Sequence, residues 1–201
     1  MKISIIDYGA GNLPSVERAL NKLGAETQLA TEPMHISSAK AIVLPGVGHF
    51  SAFVNGLRER SLVEPLQEAF HEGVPILGIC LGLQAMFESS EEAPGERGLG
   101  FLKGEVRALP TNVKSPHIGW NQLRRLRTGT LLKGVPEDAY FYFAHSFAAP
   151  AETAPTAAAC DHGMAFAAVV EQRNLLAVQF HPEKSGEAGA QVLRNFVEAV
   201  Q

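Results

Sequence analysis

Three short apolar runs, each halted by a tight turn and each followed by a helical pattern, constrain this chain more than any other feature. Residues 2–7 are apolar and rich in isoleucine, and Tyr8-Gly9-Ala10-Gly11-Asn12 breaks the run. Leu13, Val16, Leu20 and Leu23 then recur at helical spacing, with Asn12 placed to cap the start and Gly24 to end it. Residues 41–44 stop at Pro45-Gly46-Val47-Gly48, and a helix-compatible region follows to about Glu72. Residues 74–79 lead straight into Cys80-Leu81-Gly82 and a further helical stretch. Strands alternating with helices predict a parallel sheet, and continuous apolar runs predict strands covered on both faces.

The second half changes character. Residues 104–109, 120–126, 139–143 and 165–170 read as strands. Residues 148–159, rich in Ala, Pro and Thr, read as an irregular or edge segment. Val192, Leu193, Phe196, Val197 and Val200 share one face of an amphipathic helix over 188–200. The expected fold class is α/β: an open mixed, mainly parallel sheet flanked by helices, with an antiparallel extension from the second half. The 201 residues fit one domain spanning 1–201.

Composition narrows the function. At 46% hydrophobic and 19% charged residues the chain is not disordered. A net charge of -4 lacks the basic footprint of a nucleic-acid binder and the polybasic segment that anionic membranes attract. Asp7 cuts the first apolar run, and no stretch approaches the ~18 apolar residues of a membrane helix. Two cysteines, Cys80 and Cys160, suit a reducing compartment, so a cytoplasmic protein is expected. The histidines form no ligand-spaced cluster, and Pro14 stands where a dinucleotide loop needs its third glycine. Neither a metal nor a cofactor is expected.

Chemistry concentrates at two places. Gly78-Ile79-Cys80-Leu81-Gly82 has the nucleophile-elbow form Gly-x-Cys-x-Gly at a strand-to-helix junction. Such a turn exposes the side chain at the carboxyl end of a strand, where open α/β sheets bind ligands. The Leu81 N–H, free at the helix start, can stabilise an oxyanion, and the helix end favours the reactive thiolate. A free cysteine usually just packs, so the motif alone admits both readings. Cys160 has no such setting and reads as structural. At the other place, an apolar run ends in His181-Pro182-Glu183. Histidine titrates in the range a base needs, and Glu183 is spaced to accept its second ring proton. Alone this is a strand end with a turn. Together with Cys80 it makes a nucleophile, a base and an orienting acid. Pro45-Gly46-Val47-Gly48 ends a neighbouring strand, and Val47 or Gly48 can supply a second oxyanion N–H.

These residues resemble the class I, triad-type glutamine amidotransferases, and within them the branch of glutaminases that serve imidazole glycerol phosphate synthase. The resemblance rests on residues 78–84 and 180–185, on Asp7-Tyr8-Gly9 with Gly11-Asn12-Leu13, and on residues 45–48, 116–121 and 142–146. It implies that Cys80 attacks the glutamine carboxamide, that His181 moves protons and that Glu183 orients it. It also implies that Val47, Gly48, Leu81, Gln84, His145 and Ser146 surround the oxyanion and the bound glutamine. Ammonia would pass to a separate cyclase subunit, making a heterodimer for histidine biosynthesis. Trp120 and Asn121 would face that partner. Pro14 and Phe147 depart from the branch's usual residues, and neither belongs to the expected triad.

Overall fold

The computed structural model describes residues 2–201. In chain order the parallel half runs β1 (Lys2–Ile6), α1 (Leu13–Lys22), β2 (Glu26–Ala30), α2 (Pro33–Ser37), β3 (Ala41–Gly46), α3 (Phe50–Glu59), α4 (Val63–His71), β4 (Ile76–Cys80) and α5 (Leu81–Ala85). Short strands β5 (Ser89–Ser90) and β6 (Glu105–Ala108) follow, then β7 (His117–Gln122), β8 (Arg124–Arg125), β9 (Tyr140–His145) and β10 (Phe147–Ala148). The chain closes with β11 (Thr156–Asp161), β12 (Ala165–Gln172), β13 (Leu175–Val178) and α6 (Gly186–Ala199).

The main sheet has eight strands in the order β2-β1-β3-β4-β13-β12-β11-β8. From β2 to β13 the pairings are parallel, and from β13 to β8 they are antiparallel. This is the expected architecture. Alternate side chains explain the continuous apolar runs, because each strand feeds two cores. Ile3, Ile5, Ala41, Val43, Leu77 and Ile79 join Val16 and Leu20 of α1 and Leu193 and Phe196 of α6. Ile6, Ile42, Leu44 and Ile76 join Phe53 and Leu57 of α3 and Leu66 of α4.

Several local expectations are corrected. The Asn12 side chain makes no capping bond; its carbonyl receives the Ser15 and Val16 N–H groups instead, and Pro14 sits in the first turn. The strand expected to stop at Leu44 continues through Pro45 and Gly46, which pair with Ile79 and Cys80. Proline is tolerated there because pairing with β1 ends at Val43, so no donor is needed on that side. The helical region to Glu72 is two helices, broken at Ser61, whose φ is 55°. The strand expected over 120–126 is two: β7 belongs to a two-stranded ribbon with β9, and β8 edges the main sheet. The segment 148–159 is not all irregular. Its end enters β11, whose residues 156–160 are buried between β12 and β8. Alanine carries little strand preference, so only tertiary packing reveals this strand.

Candidate active site

β4 delivers Cys80 at its carboxyl end, and α5 begins at the next residue. Cys80 takes φ 53° and ψ -109°, a positive-φ conformation that costs a non-glycine residue on the order of 1–3 kcal/mol. Gly82 lets the elbow close: a Cβ there would lie 1.8 Å from the Leu44 carbonyl oxygen. Leu81 opens α5, so its N–H has no intrahelical acceptor.

His181 follows β13 and is pinned through its backbone. Its N–H donates to the Tyr142 carbonyl at 2.9 Å. The Ser185 hydroxyl donates to the His181 carbonyl at 2.6 Å and accepts the Tyr142 N–H at 3.0 Å. The imidazole Nδ1 lies 3.0 Å from Glu183 Oε1, and the Glu183 side chain is 1% exposed. Burial alone would push the imidazole down, but hydrogen bonds to Cys80 and Glu183, and the negative charge of both, carry it up to about 10. The site therefore rests as an imidazolium held beside sulfur and carboxylate.

A cavity of about 200 Å³ brings together Val47, Gly48, Cys80, Leu81, Gln84, His145, Ser146 and His181. Glu183 stands behind His181. Gln84 is buried rather than solvated, and its Nε2 donates to the Phe147 carbonyl at 2.7 Å and to Gln179 Oε1 at 3.2 Å. Gln179 is fully buried, and its Nε2 lies 3.6 Å from Cys80 Sγ. Sequence reasoning passed over Gln179, although a lone carboxamide in the apolar run before His181 was a signal. The Val47 N–H is not presented to the cavity. It donates to Tyr8 Oη at 3.0 Å, and that hydroxyl donates to the Val47 carbonyl at 2.8 Å. Arg60 steadies Tyr8 by donating to its carbonyl at 3.0 Å.

His145 belongs to a second buried group. Its Nδ1 is 3.0 Å from the Phe147 carbonyl, and its Nε2 is 3.1 Å from His117 Nδ1. His117 stacks on His162 at 4.2 Å. Burial, reinforced by the neighbouring His162, pushes His117 down to about 4. Burial likewise pushes His145 down to about 3, against a partial lift from the Phe147 carbonyl. Cys160 is buried in the core, and burial pushes its thiol up to about 12.

Trp120 and Asn121 lie on β7, away from the cavity. Trp120 is 56% exposed and meets Tyr142 edge-on at 5.9 Å; Ile118 and Tyr140 on the same ribbon are also exposed. Asn121 turns the other way, donating to the Asp161 carbonyl at 3.3 Å. Among the described residues no helix is long and apolar enough to cross a membrane.

The family model described as "Glutamine amidotransferase class-I" matches residues 4–200. The chain belongs to the class I glutamine amidotransferases. A solved structure titled "Crystal structure of glutamine amidotransferase" shares the fold, with a TM-score of 0.78 and 20% identity over 98% of both chains. The structure of PurLQS from Thermotoga maritima does so at 0.77 and 20% identity, covering 100% of this chain and 99% of its own. Much nearer in sequence is the imidazole glycerol phosphate synthase subunit HisH of Moorella thermoacetica, 46% identical over 99% of this chain and 95% of the relative. HisH of Methanothermobacter thermautotrophicus is also 46% identical, over 99% of each. Within its class the chain is a member of this HisH family.

Proposed function

We propose that the chain hydrolyses glutamine to glutamate and ammonia through Cys80, His181 and Glu183. The ammonia passes to a cyclase subunit that makes imidazole glycerol phosphate and aminoimidazole carboxamide ribotide in histidine biosynthesis. On this reading residues 1–201 are one amidotransferase domain working as half of a heterodimer. The observation that supports it most is His181, held between the elbow cysteine and Glu183 in a chain 46% identical to HisH relatives.

The Cys80 thiolate attacks the carboxamide carbon of glutamine and forms a tetrahedral oxyanion. The Leu81 N–H is the first donor to that oxygen, and the 47–48 segment supplies the second. As the intermediate collapses, the C–N bond breaks and the imidazolium of His181 gives its proton to the departing ammonia. Neutral His181 then takes a proton from water, whose oxygen attacks the thioester. The C–S bond breaks, glutamate leaves, and the thiolate–imidazolium pair is restored. Glu183 fixes the ring through Nδ1 in both steps. Gln84, His145 and Ser146 line the glutamine side of the cavity.

With the Val47 N–H occupied by Tyr8, the second oxyanion donor is incomplete at rest, which supports activity that depends on the partner. The exposed ribbon around Trp120 is the partner face, with Asn121 bracing it from behind. A cytoplasmic location is part of the same reading, since Cys80 must stay reduced to act. The test is glutamate release from glutamine, with and without the cyclase subunit and its ribonucleotide substrate. Strong stimulation by the cyclase, lost in Cys80→Ala, is expected. Turnover that ignores the cyclase assigns the chain to another synthase, and activity in Cys80→Ala overturns the reading.

A further inference from the structure

The orientation of one buried carboxamide is fixed by a chain of bonds that ends at the nucleophile. The Phe147 carbonyl can only accept, so the group 2.7 Å from it must be the Gln84 NH2. That same NH2 lies 3.2 Å from Gln179, so Gln179 turns its oxygen toward Gln84. Its NH2 is then left facing Cys80 Sγ at 3.6 Å. Flipping Gln179, whose own side chain has no exposed surface, would set two donors against each other. The Gln179 backbone is also tied down, its N–H donating to the Ala168 carbonyl at 3.0 Å. A main-chain carbonyl on β10 thus decides, through two side chains, that the sulfur meets a donor.

We propose that Gln179 is a positioning residue for the nucleophile: its carboxamide N–H donates to the Cys80 sulfur and favours the thiolate over the thiol. This rests on the glutaminase reading of Cys80. A hydrogen bond to the charged form of a group stabilises that form, and here the bond lies in a buried site where it is strong. It acts twice in the cycle. Before attack it holds the sulfur as an acceptor, with its lone pairs available to the carboxamide carbon. When water has added to the thioester and the C–S bond breaks, it receives the returning thiolate. The titratable groups around the sulfur are His181, bonded to it, Tyr8, and His145, Glu92 and Lys184 of the cavity wall; all keep their side chains when Gln179 is changed.

The test is alkylation of Cys80 by iodoacetamide in the intact chain, followed against pH by mass spectrometry. Gln179→Met removes the donor at similar volume. It is expected to displace the half-maximal pH of Cys80 alkylation upward by about one unit, with the high-pH plateau retained. In the complex with the cyclase its glutaminase kcat falls by about tenfold, while KM for glutamine stays within about twofold. A Gln179→Met profile that superimposes on the parent's overturns the proposal. If Gln179→Met does not fold, the uncharged Gln179→Leu carries the test: a parent-like profile overturns the proposal equally, and an upward-displaced profile supports it. Alkylation needs no glutamine, so a parent complex that releases no glutamate overturns the glutaminase reading and not the role of Gln179 toward sulfur.

Discussion

His181 and the pair His117–His145 are buried to nearly the same degree, at 4% and 6% exposure, yet they rest in opposite charge states. Burial disfavours the imidazolium in all three. Around His181 that cost is overcome by a carboxylate at 3.0 Å and by the Cys80 sulfur. Around His145 the neighbours are a carbonyl, whose bond lifts it only in part, and other histidines, which push it further down. The lesson is that exposure alone does not set a histidine's charge; the acceptors its folded neighbours supply decide it. The two settings also divide the work. On the proposed reading the charged ring moves protons, while of the neutral pair only His145 lines the cavity, with His117 bonded behind it.

The strongest way to break the contrast is to make His181 resemble His145. Glu183→Gln keeps the shape and removes the charge, so kcat for glutamate release in the cyclase complex is expected to fall by about 10²- to 10⁴-fold. The pH at which the His181 ring titrates, read by nitrogen NMR, should fall with it. A variant within threefold of the parent would mean that Glu183 does not hold the ring.

A smaller effect concerns stability. His117 and His145 are depressed when folded, to about 4 and about 3, against about 6.5 unfolded. Their contribution is therefore complete above pH 6.5 and is lost as pH falls toward those folded values. His181 is raised, so its contribution is complete below pH 6.5 and is lost as pH rises through about 10. Urea midpoints at pH 7.5, 5.5 and 4.5 should fall on the acid side, and His145→Phe should flatten that fall. An acid limb identical in parent and variant would remove His145 from the account.

The smallest effect sharpens the comparison by leaving both histidine settings untouched. Tyr8→Phe releases the Val47 N–H. Glutamate release without the cyclase is expected to rise about fivefold, the worth of one neutral hydrogen bond. Unchanged basal release would show that Tyr8 does not hold back the second oxyanion donor.

How far the sequence disclosed this molecule depends on the range of the forces involved. The parallel half was readable because residues 41–44 and 74–79 carry apolar strand signals that need no distant partner. β11 was not, since its alanines become a strand only when β12 and β8 enclose them. The elbow and His181-Pro182-Glu183 announced themselves as local patterns. The direction of the Val47 N–H could not, because it is set by a phenol 39 residues away. Gln179 likewise acquires its meaning from Gln84, 95 residues earlier, and the facing of His117 and His145 follows from the register of β7 on β9.

The backbone at Cys80 carries a final consequence. At a φ of 53° and a ψ of -109° the fold, left to choose for stability alone, would place glycine at the elbow. On the proposed reading, chemistry keeps a sulfur there. A search for hardier variants that is blind to turnover would drift toward an inert protein at this position first. On the proposed glutaminase reading, endurance and activity pull in opposite directions at residue 80.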